Sequence, residues 1–418
     1  MATASPEQKP SYRTLLKNRP FAYLWVGQLI SQSGDAVFDV ALLWLVLVTT
    51  GSTALVGLTQ AAVLVPAVFA SPVAGVYADR SNRRNLMVLS NLAQGAITAA
   101  ISVLYVTSSL NFPVLLLLVL MLYTGAQFYR AASGAIIPRI VNKENLGAAN
   151  GMLSLSSSAN QLVGYSIGGV AVLTLGAVAP VTYDSLTFFV AAVLMLSIAK
   201  SFGRPKADAT GDTPPKTSFS RDFGEGLGYV RRSRIFLQLV LFGIIVNFFG
   251  TAVFAVMAPY AKNWVHGDAS TYGFILSSFA LGSIMGSVLV GRVNFRAYVG
   301  RFLFFGVVVT GLLIVAAGLA TSIPLAILTF LGAGVALAVV NVPLNALVQT
   351  QVPGEMLGRA GTVLDSAMTA SQPAAAVMAG VLAGVTSIGS VIVGSGVAVA
   401  VVPVVLYPFF RELRKATY

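Results

Sequence analysis

Apolar runs of about 20 residues, the length at which a helix crosses the hydrocarbon core of a bilayer, recur along the whole chain between short connections that carry charge or turn residues. Twelve such runs are found, near 21–49, 54–77, 85–107, 113–138, 147–173, 177–200, 235–258, 270–291, 302–320, 324–348, 359–385 and 388–410. Runs of this length predict α-helices, because a helix satisfies its own backbone hydrogen bonds where no water is present. The fold class expected is an all-α membrane protein of about twelve transmembrane helices.

The polar positions between the runs carry a direction. If successive connections alternate between the two sides of a membrane, one side receives Lys9, Arg13, Lys17 and Arg19, then Arg80, Arg83 and Arg84, then Arg139 and Lys143. The same side receives the 200–234 segment, Arg292, Arg296 and Arg301, then Arg359, and last Arg411, Arg414 and Lys415; the other receives only Lys262. Lysine and arginine gather on the cytoplasmic side of a membrane. Both termini are therefore expected in the cytoplasm, the number of spans is even, and the expected location is the inner cell membrane.

One connection is long and hydrophilic. Residues 201–233, with Pro205, Pro214 and Pro215 among scattered charges, read as a cytoplasmic linker whose later part, Phe223 to Arg234, suits a short surface helix. The linker divides the chain into residues 1–200 and 234–418, and the two parts resemble each other. Val141-Asn142-Lys143-Glu144-Asn145-Leu146-Gly147-Ala148-Ala149 aligns with Val352-Pro353-Gly354-Glu355-Met356-Leu357-Gly358-Arg359-Ala360, each after the fourth run of its half. A weaker echo pairs Gly34-Asp35-Ala36-Val37-Phe38 with Gly250-Thr251-Ala252-Val253-Phe254.

Composition narrows the function. Hydrophobic residues make up 56% of the chain and charged ones 10%, too few charges to solvate a soluble surface of this length. The net charge of +12 sits between apolar runs rather than on one basic face, so nucleic acid is not an expected partner. With no cysteine and one histidine, His266, no metal site or cofactor is expected, and nothing in the pattern suggests a cleaved signal. No cluster of His, Cys or carboxylates offers nucleophile activation, and no phosphate-binding loop is present, so the chain is not read as an enzyme or an ATPase.

Gly75-Val76-Tyr77-Ala78-Asp79-Arg80-Ser81-Asn82-Arg83-Arg84, between the second and third runs, resembles the signature loop of the major facilitator superfamily, with Tyr77 where Leu is usual and Asn82 where Gly is usual. Gly291-Arg292 followed by Arg296 is a degenerate copy in the second half. Gly164-Tyr165-Ser166-Ile167-Gly168-Gly169 is similar to the glycine motif of the family's antiporters, with Tyr165 in place of the usual Pro. Leu24-Trp25-Val26-Gly27-Gln28, Gly34-Asp35, Pro138 to Asn150, and Tyr183-Asp184-Ser185-Leu186-Thr187-Phe188 resemble the macrolide and siderophore exporters, a drug–proton antiporter branch. The resemblance implies two pseudo-symmetric six-helix bundles around a central cavity, alternating access, and export of a small molecule.

Ionisable residues inside spans are costly and mark function first. Asp35 and Asp39 lie four apart near the middle of the first span and share a face, and Trp25, Gln28 and Gln32 continue the stripe. Desolvation and a neighbouring acid favour the protonated form of such a carboxyl group, which suits proton coupling; the alternative is that each Asp bonds a neighbouring helix. Tyr123, Gln127 and Arg130 share a face of the fourth span, where Arg130 either meets an anionic group or an Asp, or snorkels to the rim. In the second half Asn247, Asn341 and Asn345 offer neutral hydrogen bonds, so the cavity suits an amphipathic ligand. The resemblance makes Gly75, Asp79, Arg80, Arg83 and Arg84 a cytoplasmic latch against the start of the eleventh span, near Asp365; the alternative is that these charges only enforce topology. Gly164, Gly168 and Gly169 form the antiporter-like motif. Asp184, with Ser185, is expected to cap the sixth span, and Lys262 and His266 to be solvated. The partners expected are a small-molecule substrate, protons and membrane lipids, for a monomeric protein. A lipid or lysolipid flippase or an uptake transporter is the alternative; a channel or passive scaffold fits the repeat and linker less well.

Overall fold

The computed structural model describes residues 12–203, 219–292, 299–352, 354–409 and 412, and among these the regular structure is helical. Twelve long helices follow one another: α1 Arg19–Thr50, α2 Thr53–Arg80, α3 Arg83–Val106, α4 Phe112–Ile140, α5 Leu146–Leu175 and α6 Val178–Leu196. The second set is α7 Arg234–Ala255, α8 Ala269–Val290, α9 Val299–Leu319, α10 Ile323–Gln351, α11 in two segments Gly354–Ala370 and Gln372–Val385, and α12 Ile388–Val405. The ends fall where the sequence supplies caps. Ser52, Asn82, Asn111, Asp268 and Ser387 each accept a backbone N–H of the first turn that follows, and Gly51 closes α1 in the left-handed conformation at φ 65°.

Eleven of the twelve are long and apolar enough to cross a membrane on hydropathy. The exception, α5, has 30 residues and so spans about 45 Å, but Ser154, Ser156, Ser157, Ser158, Asn160 and Gln161 lower its mean hydropathy. The break in α11 falls at Ser371, where Pro373 removes a backbone donor from the helical ladder. Of the expected linker, residues 204–218 lie outside the described residues, as do Lys9, Arg296, Arg411, Arg414 and Lys415; Phe219–Arg232 is a helix packed on the first segment of α11.

The two sets pair alike. In the first, α1 packs on α5 and α6, α3 on α4 and α6, and α2 on α4; in the second, α7 packs on α11 and α12, α9 on α10 and α12, and α8 on α10. Adding six to each helix number in the first list gives the second, so the bundles are pseudo-equivalent. The aligned segments sit alike too, since Val141 and Val352 each follow the fourth helix of their bundle in extended conformation.

The buried core shows how the bundles meet. Because α6 ends and α7 begins at one face of the molecule, that face is termed the linker face. Toward the opposite face a single apolar cluster runs through both bundles, from Phe38, Leu42 and Val56 to Tyr260, Tyr272, Phe330 and Ala376. Toward the linker face the core divides in two, around Phe21, Met87 and Ile136 in the first bundle and around Phe236, Leu303 and Leu347 in the second. Joined contacts are α2 on α11 and α5 on α8. At both, glycine lets backbones touch: a Cβ at Gly57 would meet the Ala376 carbonyl at 2.5 Å, and one at Gly169 the Ala269 carbonyl at 2.5 Å. Nearer the linker face, Gly75, Gly151 and Gly361 on three of the same helices face open space. The molecule is closed at one face and parted at the other.

Candidate functional site

A cavity of about 270 Å³ lies within the first bundle, beneath the joined core. From α1 it receives Gln28, Gln32, Asp35 and Asp39, four members of the predicted stripe, and Arg130 enters from α4. Each successive stripe residue is three or four positions on, so one helix face delivers all of them. No ion pair within 4 Å joins Arg130 to Asp35 or Asp39 among the described residues, yet its guanidinium lines the same cavity and acts on Asp35 through space. Asp39 instead accepts a hydrogen bond from the Tyr123 hydroxyl of α4. Asp39 and Tyr123 also line a second space of about 180 Å³ between the bundles, closed by Tyr165, Phe254 and Tyr272.

Two stripe residues are placed elsewhere. Trp25 donates its indole N–H to Ser156 Oγ of α5 at 2.9 Å, which uses it to hold α1 to α5. Gln127 is buried and bonds the Tyr123 carbonyl one turn back, at the 3.5 Å limit. The cavity wall also holds residues that the sequence reading did not select: Asn91 and Gln94 of α3, Tyr129 and Ser133 of α4, and Ser157, Asn160, Gln161 and Tyr165 of α5. Their spacing, Asn91 to Gln94 and Ser157 to Asn160 to Gln161, was the available signal: polar residues at helical intervals in apolar runs.

The second bundle contains a smaller space of about 180 Å³, where Asn247, Thr251, Thr310 and Asn341 are set among Phe254, Phe279, Phe330 and Leu337. Asn247 Oδ1 accepts from Gln372 Nε2 at 3.0 Å, where α11 breaks, and its Nδ2 donates to the Gly243 carbonyl at 2.9 Å. Asn345 is exposed one turn farther along α10 and does not line this space.

At the linker face, Asp79 is 74% exposed and pairs with Arg83 of its own loop at 3.3 Å; Arg83 also donates to the Ala135 carbonyl of α4 at 3.3 Å. Arg80 and Asp365 are exposed, and no hydrogen bond or ion pair among the described residues ties Asp79 to α11. Arg84 turns inward, is buried, and donates to the Leu196 carbonyl at the end of α6, so it fastens α3 to α6 within the first bundle. The glycine motif has two jobs: Gly164 and Gly168 bring α5 against Ala36 and Val37 of α1, and Gly169 brings it against α8. Ser166 donates to Ser277 of α8 at 2.7 Å beside it.

At the opposite face Trp44 of α1 stacks on Tyr272 of α8 with ring centroids 6.4 Å apart, and the Lys262 ammonium lies 6.0 Å from the Trp44 ring, so this exposed lysine also covers an aromatic joint. Asp268 caps α8. Burial alone raises its carboxyl pKa, but the donors of Ser270 and Thr271 outweigh burial and hold it below the ordinary carboxylate value. The expected capping role of Asp184 is corrected: α6 begins at Val178, so Asp184 lies six residues inside the helix, where first-turn donors are out of reach, and it is fully buried.

Comparison with known proteins agrees with this architecture. The family described as transmembrane secretion effector matches residues 11–416. The chain belongs to that family of major facilitator transporters. It is 30% identical over 319 residues to the staphyloferrin B transporter of Staphylococcus aureus, covering 72% of each chain. It is 23% identical to macrolide efflux protein A of Streptococcus pyogenes over 94% of this chain and 96% of that one. Among solved structures, a bacterial homologue of the iron transporter ferroportin in an inward-facing state superposes with a TM-score of 0.77 at 15% identity, covering 95% of this chain and 99% of that one. The protein is thus a multi-pass membrane transporter of major facilitator type.

Proposed function

We propose that the chain exports a small amphipathic molecule by alternating access, in exchange for protons carried by Asp35 and Asp39. The observation that carries this reading is the placement of both acids, on one helix face, in a polar cavity at the point where a joined core divides. A group there meets one side of the membrane or the other as the bundles rock, which is what a coupling site requires. The arginine-rich connections make the linker face cytoplasmic, so the state described faces inward. The ligand rests against Gln28, Gln32 and Arg130 on one side and the aromatic wall of the second bundle on the other. Asp79, Arg80 and Asp365 meet as a latch when the linker face closes, and the protein works as a monomer in the inner membrane.

The export direction and ligand class draw on the relatives, a macrolide efflux protein and a staphyloferrin B transporter by name. A lipid-like ligand is the second reading. An apolar groove of about 280 Å³ between α1, α5 and α6 shares Asn160 with the polar cavity, a polar end and an apolar body in one tract.

The test is uptake into proteoliposomes of a macrolide, a siderophore, a lipophilic dye and a lysolipid, each with and without an imposed pH gradient. Accumulation of one compound only while the gradient lasts is the expected result. Equal accumulation after the gradient is collapsed contradicts proton exchange.

A further inference from the structure

The cavity leaves one intramembrane acid unexplained. Asp184 is 0% exposed, and neither carboxyl oxygen has a hydrogen-bond partner. Protein buries it, not lipid. A Cβ on Gly34 of α1 would lie 2.5 Å from Asp184 Oδ1 and 3.0 Å from its Cα, so the two helices touch only because residue 34 has no side chain. The flanking hydroxyls are engaged elsewhere, Ser185 with the Gly95 carbonyl of α3 at 2.8 Å and Thr187 with the Asp184 backbone carbonyl at 2.7 Å.

The ionisable groups facing this carboxyl group are acids and a phenol: Asp35 and Asp39 from α1, and Tyr123 from α4. On α3 the nearest charged side chain in the packing, Arg84, is committed to the Leu196 carbonyl at the far end of α6. A buried carboxylate that faces other acids and no cation, with only the Thr187 hydroxyl beside it, is costly to hold ionised. Gly34, the residue that touches Asp184, immediately precedes Asp35, one helical step of about 100° around α1, so a turn of α1 against α6 changes how the two carboxyl groups face each other.

We propose that Asp184 is a further proton-carrying residue of the coupling site, which holds a proton while the linker face is open and passes it to Asp35 as α1 turns against α6 at Gly34. In that step an O–H bond breaks at Asp184 and one forms at the Asp35 carboxylate; the negative charge moves the other way and nothing is oxidised. The inference rests on the coupling reading above and extends it to a residue outside the cavity wall.

The chain has no cysteine, so spin labels at Lys143→Cys and Arg292→Cys, on the linker-face ends of the two bundles, report opening without background. Two readings are taken in lipid nanodiscs: the infrared C=O stretch of protonated carboxyl groups, and the fraction open against pH. Asp184→Asn is expected to remove one protonated-carboxyl band at neutral pH and about one proton from the steepness of the opening profile. A structural acid leaves that profile unmoved. Should Asp184→Asn fail to fold, the double variant Asp35→Asn, Asp39→Asn retains Asp184 and is expected to keep its band. Absence of that band, or a folded Asp184→Asn protein whose opening profile is unchanged, overturns the proposal. Gradient-driven transport by Asp35→Asn is a separate measurement, so a failure there falls on the coupling reading and the infrared band decides on Asp184.

Discussion

The two bundles pair their helices identically and are filled differently. The first holds Asp35, Asp39, Arg130 and the buried Asp184 around a polar cavity; the second holds asparagines and threonines among phenylalanines. Helix pairing in this fold rests on small residues and apolar contact, which both bundles share, whereas the costly charges around the described cavities are concentrated in the first. Under the proposed function this difference is a division of labour: the first bundle carries the ionisable groups, and the second supplies an apolar wall.

The largest effect is expected where the halves meet. Gly169→Leu drives a side chain into the Ala269 carbonyl and Gly273 of α8, and such overpacking costs about 3 kcal/mol. Spin-label distances across the opposite face should show that it parts, while Gly151→Leu, which enters open space, leaves the distances unchanged. Next comes the charged bundle: Tyr123→Phe removes the donor to Asp39, an interaction worth about 1.5–3 kcal/mol when the acceptor is ionised, and should shift the pH dependence of transport. Its counterpart in the second bundle, Gln372→Leu, breaks one neutral hydrogen bond to Asn247, worth about 1 kcal/mol. It should change apparent ligand affinity and leave the pH dependence alone; a shift in that dependence as large as that of Tyr123→Phe removes the distinction between the bundles.

The smallest effect lies outside the cavity. Asp268→Ala removes the cap of α8 at a cost of about 1 kcal/mol, read as a lower thermal midpoint in detergent. Because the native state holds this carboxyl group below its ordinary value, its stabilisation is fully present above the ordinary carboxylate range and is lost as pH falls below that range and through the lower native value. The gap between Asp268→Ala and the parent protein should therefore narrow in acid.

Much of the fold was legible in the chain because bilayer thickness imposes one length on every span. The twelve runs, the helical end of the linker and the repeat after the fourth helix of each half all follow from that length and from the position of charge. The site was read in part. The spacing of Gln28, Gln32, Asp35 and Asp39 identifies a face of α1, but Trp25 on the same face is drawn off by Ser156, a partner no local pattern reveals. Asp184 was misread because Tyr-Asp-Ser after a short connection imitates a helix cap, and only the backbone shows that α6 had already begun. Arg84 sits in the signature loop by sequence yet is spent on the Leu196 carbonyl, a contact between residues 112 positions apart.

The central claim is that the acids of the first bundle carry the protons exchanged for the transported molecule. Asp35→Asn tests it most directly, since the amide keeps size and hydrogen bonding but cannot ionise. With a compound that the parent protein accumulates in proteoliposomes, the variant is expected to bind it and to equilibrate it down its gradient, but to build no concentration difference when a pH gradient is imposed. A well-folded Asp35→Asn protein that still accumulates the compound against its gradient contradicts the account.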